Sequence, residues 1–105
     1  MIINVQAEDL KKKIDSGEKI TIIDVRTPME VVRGKIENSL NLPLDFFNSE
    51  IEKKVKDKNS EVYLFCLSGS RSLIAAQIMD RKGYKNVFNI ISGLLAWRSK
   101  GYPLV

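Results

Sequence analysis

Histidine is absent from the 105 residues, and cysteine occurs once. Without histidine there is no Ser–His or Cys–His nucleophile pair, no imidazole general base and no His-ligated metal site. The lone Cys66 excludes an internal disulfide, a zinc cluster and an intramolecular redox pair. No metal and no cofactor are therefore expected. Long apolar runs are also missing. The longest, residues 62–67, falls far short of the roughly 20 residues that a membrane span needs. The N-terminus lacks the basic segment, apolar stretch and small-residue cleavage site of a secretory signal. The default compartment is the cytoplasm, where a single cysteine stays a thiol. There is no Gly/Ser/Pro linker, repeat or low-complexity tract, so the chain reads as one domain over residues 1–105.

What is present suits a globular domain. Hydrophobic residues make up 44% and charged residues 29%, enough for one modest core. Lys and Arg number 17 against 13 Asp and Glu, a net charge of +4. Twelve of the cations are Lys and five are Arg, and much of the Lys lies in mixed-charge stretches such as residues 52–58. That is the pattern of solvated helix faces. A nucleic-acid surface would interleave Arg with aromatics, so neither a nucleic-acid nor a membrane partner is expected. The mild positive field favours a small anionic substrate. No sustained exposed apolar stripe is visible, which points to a monomer.

Apolar patterning predicts alternating elements. Residues 2–5, 20–25, 40–42, 62–65 and 87–91 read as strands, the second almost continuously apolar and β-branched. Residues 7–16 read as a helix, with Leu10 and Ile14 on one face and Gly17 as its stop. Thr27-Pro28 opens a short helical turn. Residues 44–55 are helical, with a break allowed. A helix over residues 70–82, stopped by Gly83, offers Ala75, Ala76, Ile78 and Met79 as a buried face. A last helix carries Leu94, Leu95 and Trp97, the tryptophan at core spacing. Strands alternating with helices predict an α/β fold with a central, mainly parallel five-stranded sheet. In such folds ligands sit at the carboxyl ends of the strands.

Only one strand ends in an obvious reactive group, and that group is Cys66. It begins the run Cys66-Leu67-Ser68-Gly69-Ser70-Arg71, which leads straight into a helix. Gly69 permits a tight turn, and such a turn can aim several N–H groups inward as an anion nest. The helix adds its free N–H groups and positive end. Ser68, Ser70 and Ser72 offer hydroxyls, and Arg71 a fixed charge. A free thiol with pKa near 8.5 is only about 3% ionised at pH 7. Lowering that pKa by about two units requires about 2.7 kcal/mol, more than the ~0.3–1 kcal/mol of a helix dipole. The loop amides and Arg71 are expected to supply the rest. A thiolate made this way needs no histidine base.

These residues resemble a known family. Ile23-Asp24-Val25-Arg26 with Glu30, Gly34 and Ile36, then Leu40-Asn41-Leu42-Pro43, is similar to the first half of a rhodanese domain. Phe65-Cys66-Leu67-Ser68-Gly69-Ser70-Arg71-Ser72 with Ala75-Ala76 resembles its active-site loop and helix, and Gly83-Tyr84, Val87, Gly93, Trp97, Gly101 and Pro103 resemble its ending. The resemblance implies a three-layer fold with helices on both sheet faces, and a single-domain sulfurtransferase. Cys66 would take a sulfane sulfur from thiosulfate, polysulfide or a protein persulfide and pass it, as a Cys66 persulfide, to a thiol or to cyanide. Leu67, Ser68, Gly69, Ser70 and Arg71 would cradle the sulfur and the leaving anion, with Arg26 and Ser72 as accessory residues. Related phosphatases carry C-x5-R, whereas Cys66 to Arg71 is C-x4-R, a loop one residue shorter that favours sulfur over phosphoryl groups. Leu67 is apolar where thiosulfate-preferring members tend to carry basic charge, which favours a persulfide or polysulfide donor.

Other residues have structural expectations. Arg26 is expected to pair with Glu30, and Asp24 to accept backbone N–H bonds in the following turn. Phe46 and Phe47 either pack the loop-side helix or line the pocket mouth. Two further functions compete with catalysis: a non-catalytic binding module, and a sulfur or redox sensor that uses Cys66 with a thiol from another molecule.

Overall fold

The computed structural model describes all residues, 1–105. The strands are β1 (Ile2–Val5), β2 (Thr21–Asp24), β3 (Leu40–Asn41), β4 (Glu61–Phe65) and β5 (Asn86–Ile90). The helices are α1 (Ala7–Asp15), α2 (Pro28–Val31), α3 (Leu44–Lys54), α4 (Ser70–Arg81) and α5 (Gly93–Ser99). All four strand pairings are parallel, in the order β1-β5-β4-β2-β3. The expected element order is therefore present, with boundaries shifted by a residue or two. The helix over residues 44–54 runs unbroken.

Strand alternation divides the core into two layers. Ile23 and Val25 of the β2 segment, with Val62, Leu64 and Cys66 at β4, face Phe47, Ile51, Ala75, Ala76 and Met79 of α3 and α4. Ile22, Tyr63 and Phe65 point the other way, onto Leu10 of α1 and Leu94 and Trp97 of α5. Both faces of the central strands are buried, which is why their sequences are nearly continuous apolar runs. Trp97 is core as expected, and its indole N–H donates to the Pro103 carbonyl at 2.9 Å. The two phenylalanines divide: Phe47 is buried and Phe46 is exposed.

The buried stripe of α4 differs from the expected one by one residue. It is Ser72, Ala75, Ala76 and Met79, and Ile78 is only half-buried. The stripe follows i, i+3, i+4, i+7, so geometry turns Ser72 inward despite its hydroxyl. That places Ser72 beside Cys66.

Candidate active site

Cys66 directly follows β4 and sits at its carboxyl end, fully buried. The chain then reverses through Leu67 and Ser68 to Gly69, whose φ of +106° is a left-handed conformation that glycine adopts without strain. Gly69 is the N-cap of α4, and its N–H donates to the Cys66 sulfur at 3.1 Å. The N-terminus of α5 holds the loop from the other side. Leu94 N–H donates to the Cys66 carbonyl at 2.9 Å, and Leu95 N–H to the Leu67 carbonyl at 3.1 Å. With the carbonyls engaged there, the loop amides remain available to the sulfur.

Of the three serines, Ser72 brings its hydroxyl to the sulfur, with Sγ and Oγ 3.6 Å apart. Ser68 and Ser70 are exposed. The Ser72 hydroxyl also donates to the buried Asn89 Oδ1 at 2.6 Å, and Asn89 Nδ2 donates to Asn4 Oδ1 at 3.1 Å. A hydroxyl has one proton to give. While Cys66 is a thiol, its S–H can donate to Ser72 and Ser72 to Asn89. When Cys66 ionises, the Ser72 proton is the one that serves the sulfur. Burial pushes the Cys66 thiol up. The Ser72 amide and hydroxyl and the amides of Gly69 and Ser68 outweigh it, so its pKa lies below the ordinary thiol value.

Arg71 does not point at the sulfur as its main partner. Its guanidinium is forked onto Glu30, with Nη1–Oε1 2.7 Å and Nη2–Oε2 2.9 Å. Glu30 holds the Arg71 pKa above its usual value, and the thiolate of Cys66 adds to this more weakly. Arg71 in turn holds the Glu30 carboxyl well below the usual range, at about 2. Loop amides and Ser72, rather than Arg71, are thus the main stabilisers of the thiolate.

The expected Arg26–Glu30 side-chain pair does not form. Asp24 and Arg26 are two residues apart along an extended chain and share a side. Arg26 Nη2 meets Asp24 Oδ2 at 2.7 Å, both side chains being nearly inaccessible. The Asp24 carboxylate also accepts the Arg26 N–H at 3.0 Å, the turn bond expected of it. Arg26 reaches the Glu30 backbone carbonyl only at 3.4 Å and the Gly34 carbonyl at 2.9 Å.

A groove of about 270 Å³ opens beside the loop, lined by Arg26, Glu30, Arg33, Leu67 and Arg98. Sequence reasoning placed Arg26 and Leu67 here but missed Glu30 as the Arg71 partner, Asn89 behind Ser72, and the groove residues Arg33 and Arg98. A polar residue inside the apolar run of β5 was the available signal for Asn89. For the other three, no local pattern pointed to the site.

A parallel α/β sheet that ends in a buried cysteine, held by amides at a helix start and acidified by them, defines a thiolate-bearing α/β domain. The rhodanese-like domain profile matches residues 6–100. A sulfurtransferase from Allochromatium vinosum is 31% identical over 105 residues, covering 100% of this chain and 96% of that protein. The crystal structure of a rhodanese-related protein from Thermoplasma volcanium superposes with a TM-score of 0.84 at 30% identity, covering 98% and 97% of the two chains. A tRNA uridine(34) hydroxylase from Erwinia tasmaniensis is 27% identical over 108 residues, but the match spans only 31% of that longer protein. This chain belongs to the rhodanese-like domain family, and it is similar over its whole length to a sulfurtransferase.

Proposed function

We propose that this chain is a sulfurtransferase that carries a sulfane sulfur as a persulfide on Cys66. The observation that supports it best is the Gly69 N–H donating to the Cys66 sulfur, with the Ser72 hydroxyl 3.6 Å away to serve the thiolate once it forms. They favour a thiolate without a base. With thiosulfate, the Cys66 thiolate attacks the outer sulfur. A new S–S bond forms on Cys66, the donor S–S bond breaks, and its electron pair leaves with sulfite. An acceptor thiolate then attacks the outer sulfur of the persulfide. The Cys66 S–S bond breaks and the pair returns to Cys66 as thiolate. Cyanide would accept the sulfur through a new C–S bond in the same way.

The amides of residues 67–71 cradle the persulfide in this reading, with Ser72 as a donor and Arg26 at the groove wall. Arg71 serves the loop by anchoring it to Glu30. The covered sulfur requires the loop to yield to a donor, and the exposed Ser68 and Ser70 are its free surface. The apolar, half-buried Leu67 at the groove favours a polysulfide or protein persulfide over thiosulfate as donor. Residues 1–105 work as one domain in this reading, as a cytoplasmic monomer. No helix is long and apolar enough to cross a membrane.

The complete burial of Cys66 favours a second reading, a binding module without turnover. Intact-mass comparison of the wild type and Cys66→Ser after brief thiosulfate or polysulfide treatment separates the two. The transferase reading expects one added sulfur, removed by cyanide and absent from the serine form. No added sulfur from either donor would replace it with the binding module.

A further inference from the structure

Three neighbouring strands line up polar groups behind the sulfur. Asn89 of β5 sits opposite Asn4 of β1 on one side and Leu64 of β4 on the other. Leu64 precedes Cys66 by two residues and shares its side of the sheet, and the buried Ser72 of α4 covers this row. The result is a chain of hydrogen-bonding groups. Cys66 Sγ and Ser72 Oγ are 3.6 Å apart, Ser72 Oγ and Asn89 Oδ1 2.6 Å, and Asn89 Nδ2 and Asn4 Oδ1 3.1 Å. Ser72 and Asn89 are buried, whereas Asn4 is exposed on an edge strand.

The Ser72 hydroxyl has one proton and three acceptors in reach: the Cys66 sulfur, Asn89 Oδ1 and the Gly69 carbonyl at 3.1 Å. With Cys66 as a thiol, the hydrogen bonds run outward. The S–H donates to Ser72, Ser72 to Asn89, and Asn89 to Asn4. With Cys66 as a thiolate, the Ser72 proton turns to the sulfur. An Asn89 fixed in place would then keep a buried carbonyl without a donor, at the full desolvation cost of that group. A half-turn of the Asn89 amide removes the cost. Its Nδ2 then donates to Ser72 Oγ, and Asn4, free to turn in solvent, donates its own Nδ2 to Asn89 Oδ1. Amide oxygen and nitrogen are alike in size and position, so the same places serve both directions. The number of hydrogen bonds is conserved.

We propose that Asn89 is a positioning residue for Cys66 and that, with Asn4 and Ser72, it forms a hydrogen-bond relay whose direction reverses with the charge on the sulfur. This rests on the reading of Cys66 as the nucleophile of a sulfurtransferase. The thiol proton leaves to water, and the reversal itself breaks no covalent bond. Reversal aims every donor of the chain at the thiolate, and linked hydrogen bonds polarise and strengthen one another. A donor on Ser72 Oγ thus makes the Ser72 hydroxyl a better donor to the sulfur.

Iodoacetamide alkylation of Cys66 across pH, in the full chain, reads the relay without any sulfur donor. The charged groups around the site are Arg71 with Glu30, Arg26 with Asp24, Asp80 with the N-terminal amine, and Arg33 and Arg98 of the groove. None of them changes in the test. A fixed Asn89 would only compete with the sulfur for the Ser72 proton, so Asn89→Leu would free that proton and lower the alkylation midpoint. The reversing relay predicts the opposite sign. In Asn89→Leu the Gly69 carbonyl replaces Asn89 as acceptor in the thiol state, but nothing replaces it as donor in the thiolate state. The midpoint should rise, and alkylation below the wild-type midpoint should slow by about fivefold, the worth of one hydrogen bond.

Asn4→Asp tests the exposed end, where folding is not at stake. A carboxylate only accepts, so it holds Asn89 Nδ2 outward and should also raise the midpoint. Each shift should vanish in a Ser72→Ala background, whereas the effect of an added charge alone would persist there. An unchanged or lowered midpoint in either variant, or shifts that survive without Ser72, would overturn the relay. Sulfur loading from polysulfide is measured alongside. A wild type that shows the alkylation pattern but takes up no sulfur would overturn the sulfurtransferase reading and leave the relay standing.

Discussion

The Arg71 guanidinium grips the Glu30 carboxylate with both nitrogens, joining the first turn of α4 to α2 across 41 residues of sequence. Glu30 also closes a capping box with Thr27 at the start of α2. One carboxylate thus organises the loop after β2 and the helix that begins at the sulfur site. Both side chains are about one-third exposed, so solvent reduces the pair to about 1 kcal/mol. Glu30→Gln should lower stability by that amount near neutral pH. The sign with pH follows from the depressed Glu30 pKa of about 2. The contribution is complete above the ordinary carboxylate range and is lost as pH falls through about 2. Urea denaturation of wild type and variant should show the gap closing as the pH is lowered from neutral. A gap that stayed constant would assign the stabilisation to something other than the ion pair.

Ser72 is the side chain that donates to the Cys66 sulfur once it is a thiolate. Ser72→Ala removes a hydrogen bond to a charged group, worth about 1.5–3 kcal/mol. The Cys66 pKa should therefore rise. Iodoacetamide alkylation across pH reads this directly. In the wild type the midpoint should lie below that of a free thiol, and in the variant it should move upward. Sulfur loading at neutral pH should fall in step with the thiolate fraction.

Gly93 is the point at which α5 touches the loop. Its φ is +40°, and an added Cβ would lie 2.2 Å from the Cys66 carbonyl oxygen. That contact is with backbone and has no room to relax. Gly93→Ala should cost several kcal/mol, about 3 or more, and displace the Cys66 carbonyl from the Leu94 amide. Gly17→Ala is the control. Its φ is +71° but nothing lies within 4 Å of a new Cβ, so only the left-handed backbone cost of about 1–2 kcal/mol applies. Chemical denaturation of the two variants side by side should reproduce this order.

The Asp24–Arg26 pair is buried at the end of β2. Arg26→Met would leave the Asp24 carboxylate without its partner in a site closed to water. A loss of about 3–5 kcal/mol is expected. Restoring balance with Asp24→Asn in the same chain should recover part of the loss. A single variant as stable as the wild type would contradict a structural role for this pair.

The order of strands and helices along the chain and the position of the cysteine were legible in the residues alone. Such features are local. Continuous β-branched runs mark strands buried on two faces, and glycine at positive φ marks helix ends. Cys66-Leu67-Ser68-Gly69 at the junction of a strand and a helix locates the sulfur loop with no tertiary information. The expected Arg26–Glu30 pair failed because charge pairing depends on which backbone segments lie side by side. In an extended segment, the residue two positions away is the nearer partner on the same face, so Asp24 takes Arg26. The packing of β2 against β4 then brings α2, which carries Glu30, to Arg71. Ser72 and Asn89, 17 residues apart, meet only because β5 lies next to β4 and α4 covers both. The groove of Arg33, Leu67 and Arg98 draws on three separate segments. Its charge balance follows from how the tertiary structure pairs the neighbouring side chains, a relation between distant residues that no periodicity along the chain encodes.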